Sequence, residues 1–500
     1  MAIAGVGMGG TLAAQNAQSL VTMQNQLDQL TQQLSTGQKS QTYAGLGPQA
    51  GLTVGLDAQL SALTGYGSAI ALAGTNISVA QNALTQIGSL SNHAVQSINE
   101  PSAFTLDNKG QTVAQSGAVS ELDGILAALN SQGGSGYLFS GSAVNQPAVA
   151  STDAILNGNG AQAGLKQVIA ERAQADLGTG LGRLLIPPAA GSTVSISDDV
   201  ATSPFGFKLA GIASSLAGAT VAGAPPGMSV TLGSNPNNGD KIQFSLTLPD
   251  GSSQTITLQA TAASPPGANQ FTIGANPALT AGNLQAALAT AVGNLAQTAL
   301  PAASAIAAAN NFFADPPQRV AGSSPFTGAT ALTNGSAANT VMWYTGESGV
   351  VPARSTALAQ VGPSTTVAYG MRANEPALSN IVASVAVLAA TSYLPSNPNA
   401  AASYAALTQS VTANLNGPPG TQTLSDIQSA LANAQTTMNN AKSVNQQTQN
   451  TLTDMLQQIE GVSANEVGAQ ILTLQTNLQA SMQVTGMLAK LSLVNFLPPG

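Results

Sequence analysis

The sequence predicts an α+β protein whose long N-terminal and C-terminal helices form a coiled-coil-like bundle, with a β-rich α+β domain inserted between them. Two observations predict this fold. Residues 20–98 and 424–497 both have the apolar spacing of amphipathic helices and are rich in Gln and Asn. Between about residues 190 and 375, Pro and Gly instead separate segments in which apolar and polar residues alternate with a period of two. The two ends therefore belong to one helical region, and the middle is an insertion.

The predicted helices carry apolar seams at heptad spacing. Successive apolar residues lie three and four positions apart, so one stripe of each helix faces a partner. We predict that the following residues form an assembly seam: Leu20, Met23, Leu27, Leu30 and Leu34 in the first helix; Ile70, Ile77 and Leu84 in the second; Leu452, Met455, Ile459, Leu474 and Leu478 at the C-terminal end. Heptads also occur in monomeric bundles, which leaves an intramolecular bundle open. The length of the helices favours partners in other chains.

Five segments follow along the chain. They are an N-terminal helical assembly region at 1–135, a connecting region with short strands at 136–190, an inserted β-rich α+β variable domain at 191–375, a return segment and linker at 376–421, and a C-terminal helical assembly region at 422–500. The clearest strands alternate at 242–248 and 256–260, on either side of a turn at Pro249-Asp250-Gly251, and predict a β-hairpin.

Helix caps and a joint complete the prediction. Thr280 is predicted to cap a helix inside the insertion, and Ser425 to cap the C-terminal helical region. Residues 395–421 are rich in Pro, Asn and Gly, and we expect an irregular joint there. The chain thus leaves the helical region and returns to it.

Composition excludes several classes of partner. Only 6% of residues are charged, against about 25% in an average soluble protein, and the formal net charge is -8. Because there is no basic stripe to neutralise phosphates, we expect no nucleic-acid partner. The longest apolar stretch, at 381–394, is shorter than the about 20 residues that cross a bilayer, so we expect no membrane insertion. The first residues lack the basic and apolar regions of a cleaved secretory signal.

Residues suited to catalysis are scarce. The chain has no Cys and one His, His93, which lies inside a predicted helix and is expected to be solvated or at an interface. The acidic pair Asp198-Asp199 lacks a spaced third ligand and is interpreted as a turn. Gly5, Gly7 and Gly10 match a dinucleotide-binding spacing, but no strand precedes them. We expect no enzyme activity, no cofactor and no metal.

Four runs of residues resemble those of the bacterial flagellin superfamily. Leu34-Ser35-Thr36-Gly37 is similar to the turn that ends the first helix in that family, and Ala94-Val95-Gln96-Ser97 resembles a segment of its second helix. Tyr137-Leu138-Phe139-Ser140-Gly141 resembles the motif that closes the N-terminal region of the hook-filament junction (hook-associated) proteins, and the run 456–497 looks like α-proteobacterial flagellin tails. The resemblance covers both ends of the chain. It departs from common filament flagellins after Gly37 and at Ser91-Asn92-His93.

The resemblance implies a structural subunit of the bacterial flagellum. It favours the hook-filament junction protein, which links hook to filament and assembles through its terminal helices; a filament flagellin is the alternative. As partners it implies other copies of the chain, neighbouring hook-associated proteins and flagellin, and an export chaperone. It implies an extracellular location after type III export without a cleaved signal. From another class, a non-flagellar surface or phage-type fibre protein has the same arrangement of helical ends and β-rich middle.

Overall fold

A computed structural model describes residues 8–100, 104–134, 136–417 and 419–494, and it is a mixed helical and sheet protein, as the α+β prediction requires. The helices are α1 Met8–Thr36, α2 Ala50–Ile98, α3 Val113–Leu129, α4 Thr152–Asn157, α5 Leu165–Leu177, α6 Pro277–Phe312, α7 Pro376–Ala390, α8 Ala400–Leu415, α9 Leu424–Glu460 and α10 Ala464–Val494. The strands are β1 Gln132–Gly133, β2 Gly136–Tyr137, β3 Leu184–Leu185, β4 Thr193–Asp198, β5 Lys208–Ser214, β6 Ala219–Ala224, β7 Gly227–Leu232, β8 Lys241–Thr247, β9 Ser253–Thr261, β10 Gln270–Thr272, β11 Gln318–Val320, β12 Leu332–Asn334, β13 Leu358–Gln360 and β14 Thr366–Ala368.

The chain divides into two compact units. The terminal unit comprises Met1–Ala71, Gln360–Thr366 and Thr437–Gly500, and the larger unit comprises Leu72–Ala359 and Val367–Thr436. The divisions at the helical ends fall inside α2 and inside α9, whereas the sequence placed its boundaries at 135, 190, 375 and 421. Amphipathic spacing continues through both helices, so it gives no sign of where one compact unit stops.

Two four-stranded sheets form the β-rich part of the larger unit, in the orders β10-β9-β8-β5 and β3-β4-β7-β6. The predicted hairpin is confirmed: β8 and β9 pair antiparallel, with Phe244 opposite Ile256. Alternate residues of these strands point into one core with the apolar face of α6, where Leu284, Leu288 and Val292 are buried.

Helix α6 begins earlier than the sequence predicts. Its N-cap is Asn276, whose side chain accepts the backbone N–H of Leu279, so the prediction of Thr280 as the cap is wrong. Pro277 is the first helical residue, and its ring restricts φ to the value that a helix requires. The hydroxyl of Thr280 lies instead in the first turn and donates to Asn235 Oδ1 at 2.8 Å.

Two helices occupy the segment expected to be a return segment and linker. Nearly every residue of α7 is buried, and α7 packs against α3, α6 and α8. Helix α8 fills most of 395–421, so the expectation of an irregular joint is wrong at 400–415. The apolar run at 381–394 lies largely in α7, and its residues there are mostly buried. Among the described residues, no helix is long and apolar enough to cross a membrane.

The C-terminal helical region begins at a capping box. Thr423 Oγ1 accepts the backbone N–H of Asp426, and Asp426 Oδ2 accepts the backbone N–H of Thr423 at 2.8 Å. The cap is therefore Thr423, and the prediction of Ser425 is wrong by two positions. Hydrogen bonds from the backbone N–H and the hydroxyl of Thr423 hold the pKa of Asp426 below its usual value.

Candidate assembly surface

Helices α1 and α10 form an antiparallel pair in the terminal unit. They pack along each other, and the chain just after α1 is hydrogen-bonded to the chain just before α10, since Val462 donates its N–H to Gly37 O at 3.0 Å. Gly37 ends α1 with a φ of 70°, the left-handed conformation that glycine adopts at helix ends. The helix end that the sequence predicts at this turn is confirmed by the last residue of α1, Thr36.

The apolar seam of this pair is only half covered. Leu20, Met23, Leu27 and Leu30 are half-buried in α1, and Leu474 and Leu478 are half-buried in α10. Among the described side chains of α1 none is fully buried, and in α10 only that of Val467 is. A pair of helices that buries so little apolar surface gains little stability from its own packing, because helical stability in proteins comes mostly from tertiary contacts.

Further apolar side chains of the terminal unit are exposed to solvent. Leu34 is 43% exposed and Leu472 is 65% exposed, although both lie on amphipathic helices. Others with more than a third of their surface exposed are Val21, Leu52, Val54, Val444, Met455, Met482, Val484 and Met487. Binding of another chain would remove these side chains from water.

A groove runs between α1 and α10. It encloses about 640 Å³, and the apolar side chains Leu30 and Leu474 share its lining with amide groups that include Gln26, Gln33 and Asn477. The structure thus brings two predicted seam residues from opposite ends of the sequence to one site. Apolar residues flanked by amides offer both dispersion contacts and hydrogen bonds to an incoming helix.

The first half of α2 and the last half of α9 form a second pair in the same unit. Leu56, Leu63 and Leu452 are buried together, with Leu60 and Ile459 half-buried against them. Predicted seam residue Met455 points outward and is 39% exposed. The remaining seam residues Ile70, Ile77 and Leu84 are fully buried in α2, so this part of the seam is covered by the chain itself.

Lys39 joins the chain just after α1 to the last turn of α9. Its backbone N–H donates to Glu460 O at 2.6 Å, and its ammonium donates to Ile459 O at 2.6 Å. These carbonyls lie in the last turn of α9, where they lack helical partners and carry the negative end of the helix dipole. Sequence reasoning missed this role; a Lys two residues after the helix-ending Gly37 was the available signal.

The turn between β13 and β14 also belongs to the terminal unit. The side-chain amide of Asn445 on α9 donates to Val361 O at 3.0 Å, and Asn445 is buried. Val361 lies in the tip between β13 and β14, far from α9 in sequence. No local pattern in the sequence predicts such a contact.

The residues considered for catalysis are dispersed. His93 is exposed on α2. Asp198 and Asp199 are interpreted in the sequence as a turn, but Asp198 ends β4 and pairs with Lys208, while Asp199 pairs with Arg183 at 2.8 Å. Gly5 and Gly7 lie outside the described residues. Among the residues that the structure describes, no three His, Asp or Glu side chains are grouped as metal ligands would be.

Comparison with known proteins gives no family for this chain. No protein-family model matches the sequence, and no curated protein matches it significantly. The arrangement of the terminal helices therefore carries the functional argument.

Proposed function

We propose that this chain is a structural subunit of the bacterial flagellum, most closely a hook-filament junction protein, which assembles with its neighbours through its terminal helices. The observation that carries the proposal is the α1 and α10 pair, whose heptad seam is half-buried in one chain and flanked by exposed apolar side chains. A second layer of helices from other subunits would cover that surface. The terminal helices would then form a coiled-coil-like bundle within the assembly.

The low content of charged residues supports a structural role. Few charged residues mean that neighbouring copies repel each other weakly at short distance. We propose that the protein is not an enzyme and acts mechanically. Its partners would be further copies of itself, hook-associated proteins and flagellin, with an export chaperone before type III export. Its place would be outside the cell, on the flagellum.

Replacement of Leu474 by Asp tests the role of the seam. A carboxylate on the groove between α1 and α10 would have to be desolvated when a partner helix covers it, which is unfavourable. We expect Leu474→Asp to abolish incorporation into filaments or junctions while the larger unit stays folded. Incorporation is measured by sedimentation and electron microscopy, and folding by the fluorescence of Trp343, which is buried in the larger unit.

Gln475→Asp is the matched control, because it adds the same charge to the next residue, which is exposed. We expect this variant to assemble like the wild type. Normal incorporation of Leu474→Asp, or equal loss in both variants, would refute the assignment of the seam.

Immunogold labelling separates the junction from the filament. Antibody raised against residues 192–375 is applied to sheared flagella of the source cell. Gold confined to the hook end supports the junction protein, and gold along the whole length makes the chain a filament flagellin. Flagella without gold would reject the flagellar proposal and favour the non-flagellar fibre.

A further inference from the structure

A cleft of about 580 Å³ lies in the larger unit, and none of the predicted seam residues lines it. Residues of α5, α6 and α8 line it, together with the end of α7 and the loop that contains Lys109 and Gln111. This volume is in the range of small-molecule sites, which extends from about 300 to 1,000 Å³.

The floor of the cleft is hydrocarbon. Ala302, Ala305 and Leu407 contribute small or aliphatic side chains from α6 and α8. Pro301 lies inside α6 and has no N–H to donate to the carbonyl of Gln297. Ser403 Oγ donates instead to Gln297 O at 3.1 Å and to Thr298 O at 2.9 Å. Because the freed carbonyl already has a partner, the floor keeps its apolar character.

The walls of the cleft are held by hydrogen bonds. Gln111 Nε2 donates to Ala389 O at 3.1 Å, which joins the loop to the end of α7. Tyr393 donates its backbone N–H to Gly110 O at 2.7 Å. A cleft with walls fixed in this way loses little conformational entropy when a ligand binds.

The rim is cationic. Lys109 and Lys166 are exposed there, and none of the described residues that line the cleft is acidic. The ammonium of Lys166 donates to the neutral amide oxygen of Asn157 at 2.8 Å, and neither lysine forms an ion pair within hydrogen-bonding distance among the described residues. The nearby carboxylate of Asp107 accepts the backbone N–H groups of Lys109 and Gln111, and lies outside the lining.

Most other cations of the larger unit already face a carboxylate. All five arginines of the chain, namely Arg172, Arg183, Arg319, Arg354 and Arg372, face carboxylates of the same chain. Lys208 faces Asp198. In a chain with so few charges, two lysines at the mouth of one apolar cleft, neither of them in an ion pair among the described residues, define a site for a negative group.

We propose that this cleft binds an amphiphilic organic carboxylate, with its hydrocarbon body on the floor of Ala302, Ala305 and Leu407 and its carboxylate between Lys109 and Lys166. The apolar floor supplies the hydrophobic contribution to binding, and the ammonium groups supply charge-assisted hydrogen bonds to the head group. The proposal is independent of assembly, since a chain that fails to polymerise would still contain the cleft.

Isothermal titration calorimetry of the full chain with octanoate tests the proposal. We expect one saturable site per chain, with binding at least about tenfold weaker for 1-octanol, which lacks the charge, and for butyrate, which lacks most of the hydrocarbon body. The double variant Lys109→Ala/Lys166→Ala should bind octanoate about tenfold more weakly, because exposed ion pairs contribute modestly. Ala170→Trp should abolish binding by filling the cleft from its exposed edge on α5.

Lys241→Ala is the matched control, because Lys241 is an exposed lysine of the same unit that does not line the cleft. It should bind like the wild type. Circular dichroism checks that each variant is folded. The proposal is overturned if the wild type shows no saturable binding, if 1-octanol binds as well as octanoate, or if octanoate binding survives in both cleft variants, which would place it on the apolar surface of the terminal helices.

Discussion

At the scale of single residues, the heptad seam separates into two groups that the sequence cannot distinguish. Ile77 is 0% exposed, whereas Leu34 is 43% exposed, although both occupy seam positions of amphipathic helices. Spacing fixes which side chains share a face of a helix. It does not say whether the same chain or another one covers that face, because this depends on contacts between residues far apart in sequence.

Substitution of Ile77 by Ala tests the buried group. Removal of a fully buried side chain loses its burial and leaves a cavity, so Ile77→Ala should lower the free energy of unfolding of the larger unit by about 2 to 5 kcal/mol. Urea denaturation followed by Trp343 fluorescence measures this change. Leu72→Ala is the control on the same helix, where the side chain is 59% exposed, and it should cost less than about 0.5 kcal/mol. Equal midpoints for both variants would contradict the buried position of Ile77.

At the scale of elements, the sequence locates helices and strands whose signals are local. The end of α2 at Ile98 and the hairpin of β8 and β9 agree with the predictions, and the start of α9 lies within two residues of the predicted cap. Each depends on neighbouring residues, through periodicity, a cap or a turn. These signals act within a few residues, so they can be recognised in the sequence alone.

Helices α7 and α8 illustrate why the rest was not predicted. A helix buried on all sides has no polar face, so the run at 381–394 has no helical periodicity to recognise. Helix α8 lies between segments rich in Asn, Pro and Gly, and its composition resembles a loop. The cleft was missed for the same reason, since Lys109, Lys166 and Leu407 come together only through the packing of α5, α6 and α8.

Cap substitutions test the start of α9. Thr423→Ala removes the hydroxyl that accepts the N–H of Asp426, and we expect it to lower the free energy of unfolding of the larger unit by about 1 kcal/mol. The effect reaches this core because Ile427 and Leu431 of α9 are buried. Thr436→Ala, on the exposed side of the same helix, is the control and should be close to neutral. Urea denaturation with Trp343 fluorescence compares the two, and equal losses would reject the cap.

The pH dependence of stability tests the role of Asp426, the second residue of this capping box. The N–H and hydroxyl of Thr423 hold the pKa of Asp426 below its usual value of 3.8. The folded state therefore favours the charged carboxylate, and its contribution to stability is present above about pH 4 and lost as the pH falls through the lower pKa of the folded state. We expect the stability difference between wild type and Asp426→Asn to shrink below pH 3.8. A difference that stays constant from pH 6 to pH 3 would contradict this role.

At the scale of the whole molecule, the two units differ in how much of their apolar surface they bury. The larger unit has a continuous core of strands and α6, with aromatic residues such as Phe207, Phe244 and Phe271 fully buried. The described part of the terminal unit has few fully buried side chains and many exposed apolar ones. Segments with few buried contacts open with a small free energy. The terminal unit of a free chain should therefore open more easily than the larger one.

Limited proteolysis of free and assembled protein tests this difference. Since the chain has only 12 Lys and Arg residues, a protease of broad specificity is required. In the free chain we expect the first cuts within α1 and α10, leaving a resistant fragment that contains Trp343; mass spectrometry identifies the cuts. In assembled wild type and Gln475→Asp, the same helices should resist cleavage, because partner helices cover them, whereas Leu474→Asp should be cut as readily as the free chain under assembly conditions. First cuts inside the larger unit would contradict the stability difference, and helices that remain equally sensitive after assembly would show that they are not the surfaces that assembly buries.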